Sequence, residues 1–330
     1  MKSFLINLLL FSLGLLVVFE IVLRVNHMTI DIPQREITSD GIKRYIPMQE
    51  GWWLGGTHKW QINQFGWPGP MPESLDSLVL IIGDSHIENF MNNDNCHQSW
   101  LLKQLLPQFN FLEAARSGVS YIEAVYIATK LDTLRPILIL LYVKDTDFIE
   151  SITQFGRKTD ITQIDLAKET LLMGEMRSPG LKKILYNVKV AYFTYSKLQI
   201  CILKSRKKAK ELHIATVDLT KKRLSSEEIT LIEHLIEYSY RFYDTDKIVL
   251  LFHPGSDPRI VNIAERAGFK TVVFPKEQGK MWGISADDES HWTCEGHKEA
   301  AKIISKKIRE ILSTYRQNPY KELDTTCFVN

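Results

Sequence analysis

The sequence predicts an α/β fold. The expected form is a three-layer α/β/α sandwich around a central parallel sheet, entered from an N-terminal transmembrane helix. Three observations carry this expectation. Short unbroken apolar runs, Leu78–Ile82 (LVLII), Ile137–Val143 (ILILLYV) and Ile248–Phe252 (IVLLF), have the composition of strands buried on both faces. Stretches of helical period separate them, and strands alternating with helices imply βαβ units with helices on both sides of the sheet. Ahead of all this, Phe4–Leu23 is almost wholly apolar.

That first run is long enough to cross a bilayer. It follows Lys2, ends at Arg24, and has no small-x-small cleavage site after it, so it reads as an uncleaved signal anchor over residues 1–24. A cleaved signal peptide is the alternative. Glu20 falls near the outer end, where an acid can reach the headgroups. Charge near the ends (Lys2 and the terminal amine against Arg24 and Arg35) hardly discriminates orientation. A short tail before a large C-terminal domain favours an extracytoplasmic domain, periplasmic or extracellular.

Residues 25–77 are rich in Gly, Pro, Trp and polar side chains and read as an irregular lead-in with at most a few short strands. The main domain is expected over 78–315, with a tail at 316–330. After the first strand, helical sequence starts near His86 and again at Ser99–Leu106, and Phe109–Leu112 reads as a second strand. Tyr121–Leu134 has helical periodicity and stops at Arg135-Pro136. Residues 149–246 interrupt the alternation and read as a helical insertion, with amphipathic stretches at Ile164–Met173, Leu181–Leu203 and Glu227–Phe242. Beyond Ile248–Phe252 come a helix at Arg259–Ala267 stopped by Gly268, a strand at Thr271–Phe274, and a closing helix at Glu295–Tyr315.

The chain has 330 residues, 45% of them hydrophobic, enough for one large domain with a real core. The formal charge is +2, from 41 basic and 39 acidic residues, which gives no reason to expect a nucleic-acid partner. The basic cluster Lys204, Arg206, Lys207, Lys208 and Lys210 reads as a solvated helix face, with contact to anionic lipid or glycan as the alternative. None of Cys96, Cys201, Cys294 and Cys327 forms a C-x-x-C pair. An even count permits disulfides that the sequence cannot pair, and semi-buried free thiols fit equally well. No P-loop, G-x-G-x-x-G or metal-ligand pattern is present, so no cofactor or metal is expected.

Chemistry concentrates in two segments. In Gly83-Asp84-Ser85-His86 a buried strand ends in glycine, a small acid and a serine, and a helix follows. This puts the Ser85 hydroxyl at the carboxyl end of the strand, beside unpaired helix N–H groups that can stabilise an oxyanion. Strand–Gly–Asp–Ser also makes ordinary turns and caps, so the segment alone says little. In Asp288-Glu289-Ser290-His291-Trp292, a histidine can take the serine proton at neutral pH. A carboxylate three residues earlier can bind its other ring nitrogen and fix the tautomer. His86 and His253 are other candidate bases, but neither has a carboxylate three residues ahead of it.

Together these segments resemble the SGNH (GDSL-type) hydrolase superfamily, in its membrane-anchored subgroup. Gly83-Asp84-Ser85 matches the nucleophile block, and Asp288-x-x-His291 the acid–base block near the C-terminus. Trp292, Gly296-His297 with Ala300, the Glu20–Arg24 end of the anchor and Asn63-x-x-Gly66 are similar to that subgroup as well. The likeness covers 78–148, 247–313 and the anchor; 149–246 matches no known pattern. It implies a flavodoxin-like sheet, a Ser85/His291/Asp288 triad, and an oxyanion hole built from the N–H of Ser85, the N–H of Gly118 in Ala115-Arg116-Ser117-Gly118, and a third donor. That third donor normally comes from a G-x-N-D block, whose counterpart is Lys144-Asp145-Thr146-Asp147. Lys144 replaces the glycine and Thr146 the asparagine, so Thr146 can supply only a hydroxyl.

The resemblance implies ester hydrolysis or acyl transfer through an acyl-serine, on O-acyl groups of cell-envelope polysaccharide. The partners it implies are an acylated glycan or other ester, the membrane through the N-terminal helix, and an envelope-assembly protein. A degenerate glycan-binding or scaffolding module and a lipid-directed esterase or thioesterase are the alternatives.

Overall fold

The computed structural model describes residues 2–176, 178–198, 224–275, 282–285 and 288–317, with the side chains of 284, 285, 288–290 and 314–317 left aside. In chain order the elements are α1 (Lys2–Val25), β1 (Arg35–Ile37), β2 (Lys43–Tyr45), β3 (Glu50–Trp52), β4 (Lys59–Gln61), β5 (Leu78–Gly83), α2 (Ser85–Glu88), α3 (Gln98–Leu105), β6 (Asn110–Ala115), α4 (Tyr121–Leu131), β7 (Leu138–Val143) and α5 (Asp145–Glu150). There follow β8 (Gln163–Asp165), β9 (Thr170–Leu172), α6 (Pro179–Asn187), α7 (189–198), α8 (Ser226–Phe242), β10 (Ile248–Phe252), α9 (Pro258–Arg266), β11 (Lys270–Val273), β12 (Gly283–Ser285), β13 (Asp288–Trp292) and α10 (Cys294–Gln317).

Five strands form the central sheet in the order β11-β10-β7-β5-β6, every neighbouring pair parallel. The three apolar runs are its three inner strands, fully buried as their composition requires. Alternate residues of β5 divide the core. Leu78, Leu80 and Ile82 pack with α4, α8 and α9 on one face, and Val79 and Ile81 pack with α3 and α10 on the other. This is the expected three-layer α/β/α sandwich. The chain starts at β5, winds one way to β6, then returns to β7 on the other side. Loops leaving β5 and β7 therefore part company at their carboxyl ends, which opens a crevice there.

Local chemistry accounts for the boundaries. Ser120 and Ser225 cap α4 and α8 by accepting from the N–H groups of Glu123 and Glu228. Asp257 caps α9, and Pro258 opens it. Two expectations shift. Ile164–Met173 is not helical: its alternation folds as the β8–β9 hairpin, paired at Ile164 and Leu171. Leu181–Leu203 is broken at Val188 into α6 and α7, and its end beyond 198 lies outside the described residues. The lead-in is two hairpins, β1–β2 and β3–β4. Within 149–246, α8 serves as the crossover helix between β7 and β10, with Ile232, Leu235 and Ile236 in the core.

The described part of α1 is exposed along almost its whole length and is the one helix among the described residues long and apolar enough to cross a membrane. Cys96 and Cys294 form a disulfide. The alternative of free thiols is thus corrected for these two: 198 residues apart, they are brought together by packing of α3 and α10 on the same sheet face, a proximity invisible to spacing. Cys201 and Cys327 lie outside the described residues.

Candidate active site

The crevice is built from loops whose positions the sheet register dictates. Gly83 of β5 lies opposite Ala115 of β6, and Ile82 opposite Leu141 of β7. The segments that follow, 84–86, 116–118 and 144–147, therefore emerge side by side. Gly83 is needed for close packing: a Cβ there would fall 2.7 Å from an Ile87 side-chain carbon. Asp84 caps the single turn of α2, its Oδ1 accepting from the His86 N–H at 3.0 Å. Ser85 is thereby held as the first residue of that turn.

His291 comes from the other end of the chain. It lies on β13, which among the described residues pairs with β12 in a small hairpin outside the main sheet. Its Nε2 is 2.9 Å from Ser85 Oγ, across 206 residues of sequence. This is the hydrogen bond a general base needs before it can take a serine proton. The expected pair Ser85 and His291 is therefore brought together. Asp288 sits at the start of the same strand, but its side chain lies outside those described. His86 and His253 instead border the indole of Trp292, with ring centroids 3.9 and 5.8 Å from it.

A side-chain hydrogen bond and a disulfide tie β13 and the residues just after it to the α2 side of the site. Asn92 Nδ2 donates to the Trp292 carbonyl at 2.9 Å, while Asn89 Nδ2 donates to the Cys96 carbonyl at 3.0 Å. The Cys96–Cys294 disulfide closes the same loop onto the first residue of α10, three residues past His291. Trp292 itself is fully buried against Phe274 and Trp282.

Gly118 lies in the turn after β6 with φ +78, a left-handed conformation that suits glycine. Just before it, the Ser117 N–H donates to Glu88 Oε1 at 2.7 Å, tying that turn to α2. The loop after β7 holds a feature that sequence reasoning missed. Lys144 places its ammonium 2.5 Å from Asp84 Oδ2, next to Ser85. Its own N–H donates to Asp147 Oδ2 at 2.9 Å. Burial works against the Lys144 charge, but Asp84 and Asp147 outweigh it and raise its pKa. Burial, reinforced by the Asp84 charge, pushes the Asp147 carboxyl well above the usual carboxylate range. Thr146 is exposed on the first turn of α5. The signal for Lys144 was present in the sequence, as a cation two strands away from an aspartate, but only the register brings them together.

Beside the crevice lies a cavity of about 720 Å³. Ser117 and Gly118 line one wall, and Arg35, Lys43, Tyr45 and Trp53 of the lead-in line another. Lys182, Lys183, Tyr186 and Tyr192 of α6 and α7 close it; Ser85 and His291 are not among its lining residues. No group of three or more metal-ligating side chains occurs among the described residues.

A doubly wound α/β/α sandwich with a serine–histidine pair at its switch point defines the class of protein. No family model matches the sequence, and no curated protein matches it. Solved structures similar in chain path include the psychrotrophic esterase EstA from Pseudoalteromonas sp., inhibited by monoethylphosphonate, at 12% identity and TM-score 0.39, covering 72% of this chain and 100% of that one. TesA follows at 12% identity and TM-score 0.37, covering 71% and 99%. A G-D-S-L family protein from Desulfitobacterium hafniense DCB-2 has 12% identity and TM-score 0.32, covering 70% and 99%.

Proposed function

We propose that this chain is an SGNH-type serine hydrolase or acyltransferase working through an acyl-Ser85 intermediate. The observation that carries the reading is the 2.9 Å contact between His291 Nε2 and Ser85 Oγ at the carboxyl edge of a parallel sheet. Ser85 Oγ attacks the acyl carbon as its proton passes to His291 Nε2. The developing oxyanion is held by the N–H groups of Ser85 and Gly118, with the Thr146 hydroxyl as third donor. His291 then gives its proton to the departing alcohol oxygen, leaving the acyl group on Ser85. A water or acceptor hydroxyl attacks next, His291 takes its proton, and the serine regains one as the acyl group leaves. Asp288 orients His291 through Nδ1 and stabilises the imidazolium.

The substrate class in this reading is an O-acylated, chiefly O-acetylated, polysaccharide of the cell envelope, with the domain outside the cytoplasm. The Cys96–Cys294 disulfide supports that side of the membrane, since such bonds persist in oxidising compartments. The test is labelling of the full-length protein with a fluorophosphonate, alongside p-nitrophenyl acetate hydrolysis and acetate release from O-acetylated polysaccharide. Ser85→Ala should lose the label and both activities while melting close to wild type. Undiminished labelling in that variant removes Ser85 from the role. A wild type that neither labels nor turns over any ester favours a binding module on the same fold.

A further inference from the structure

Glu20 is the one acid in a predominantly apolar 24-residue helix, and the structure gives it a task. Its carboxylate oxygens accept from the N–H groups of Lys189 and Val190, at 2.9 and 2.7 Å, so it caps the N-terminus of α7. Arg24, one turn further along α1, bonds Glu20 at 2.7 Å and donates to the carbonyl of Asn187, at the C-terminal end of α6. Phe19 meets Phe193 edge to face at 5.7 Å. The break between α6 and α7 is thus clamped, from both helices, onto the last two turns of the membrane-spanning helix. Those turns lie where the hydrocarbon gives way to headgroups.

The clamped elbow exposes apolar residues. Leu181, Ile184 and Val188 are 60%, 61% and 42% exposed, at the i, i+3, i+7 spacing of one helical stripe. Leu198 on α7 is 58% exposed. The surrounding sequence supplies charge of one sign. Between residues 176 and 210 there are ten lysines and arginines and no aspartate or glutamate. An apolar stripe, a one-signed basic composition and attachment to a spanning helix suit a single occupant, a bilayer surface bearing anionic phospholipid.

We infer that α6 and α7 form an in-plane membrane element, seated by Glu20 and Arg24 with the Leu181–Ile184–Val188 stripe in the headgroup–acyl boundary. The element also supplies Lys182, Tyr186 and Tyr192 to the cavity whose far wall holds Gly118, so one cavity joins the bilayer surface to the oxyanion turn.

Site-directed spin labelling of the full-length chain tests this. Cys201→Ser and Cys327→Ser leave the introduced cysteine as the one thiol outside the Cys96–Cys294 disulfide. Nitroxides at Leu181→Cys and Ile184→Cys are compared with one at Leu10→Cys, in mid-span, in phosphatidylcholine vesicles with and without phosphatidylglycerol. Both elbow labels should collide more with oxygen than with a water-soluble nickel chelate, at a depth of about 5–10 Å. The depth should increase with phosphatidylglycerol and be lost in Glu20→Ala. Free access of the nickel chelate overturns the proposal. So does exclusion of both relaxants, which would mean burial against a protein, and so does depth unchanged by Glu20→Ala, which removes the clamp.

Discussion

Removing the Cys96–Cys294 disulfide should unsettle the whole domain and His291 in particular. The bond closes a loop of 198 residues, among the longest crosslinks this chain could hold. In the chain-entropy treatment, a loop of that length withholds about 18 cal/mol/K from the unfolded ensemble, or about 5 kcal/mol at 25 °C. That is a large share of the ~5–15 kcal/mol by which domains are usually stable. An unfolding entropy of about 2.1 cal/mol/K per residue makes this a fall in Tm of about 7–8 °C for a chain this long. The same cut removes one of the ties beside β13, the Asn92 bond to the Trp292 carbonyl being another, and so loosens His291 against Ser85. The assay is a thermal melt of the full-length protein in detergent, with and without reductant, beside Cys96→Ala/Cys294→Ala. The double variant should match the reduced wild type, ignore reductant, and show a lower kcat with KM less affected. A wild type that melts within about 1 °C of its oxidised form, after thiol titration has verified reduction, refutes the entropic argument.

Three other perturbations have defined outcomes. Lys144→Ala leaves Asp84 facing Asp147 without the intervening cation, and should cost about 3 kcal/mol and lower kcat, with Lys144→Arg recovering most of both; wild-type melting and turnover in the alanine variant would contradict this. Thr146→Val should lower kcat more than it shifts KM, and Thr146→Asn should keep or raise kcat; turnover untouched by valine takes Thr146 out of the oxyanion hole. Burial depresses His297 to about 3, so its contribution to stability is whole above the unfolded value of about 6.5 and fades as pH falls toward 3, at up to about 1.4 kcal/mol per pH unit. His297→Asn keeps an acceptor for Gln98 and should flatten that acid limb by about one proton, read from denaturation midpoints between about pH 4 and 6. His97 runs the other way. Burial lowers its pKa, but Glu113 more than restores it, so its contribution is whole below about 6.5 and fades as pH rises through the raised value.

The sheet was legible because each inner strand is a short unbroken apolar run, the composition of a strand buried on both faces. Leu78–Ile82, Ile137–Val143 and Ile248–Phe252 needed no tertiary knowledge. Edge strands and hairpins carry only one buried face, which is why Ile164–Met173 read as helical period and folded as β8–β9. Ser85 and His291 were legible through their neighbours, glycine and acid before the serine and an acid three residues before the histidine. What remained hidden is whatever depends on register or on packing across layers. Lys144 meets Asp84 only because β5 and β7 are neighbours with Ile82 opposite Leu141. Glu20 reads as a stray acid until α7 is seen to begin on it.

These hidden contacts share a physical logic that bears on how the site is held. Ser85 and Gly118 are fixed by the sheet, whose backbone pairing leaves their loops little freedom. His291 lies outside the central sheet: among the described residues β13 pairs with β12. Beyond the β12 pairing and the Thr293 N–H to Trp282 carbonyl bond, side chains help to place it: Asn92 on the Trp292 carbonyl, Trp292 in the apolar layer, and the disulfide beyond. In the proposed mechanism the nucleophile is thus placed by the central sheet, and the base depends more on contacts outside it. Damage to those contacts should therefore lower turnover before it lowers secondary structure, and reagents that trap Ser85 without needing His291 fully in place should lose less than ester turnover does. Comparing the rate of fluorophosphonate labelling with the rate of p-nitrophenyl acetate hydrolysis in Asn92→Ala measures that difference. Equal loss in both, with the circular dichroism unchanged, would mean that Asn92 positions the serine as much as the histidine.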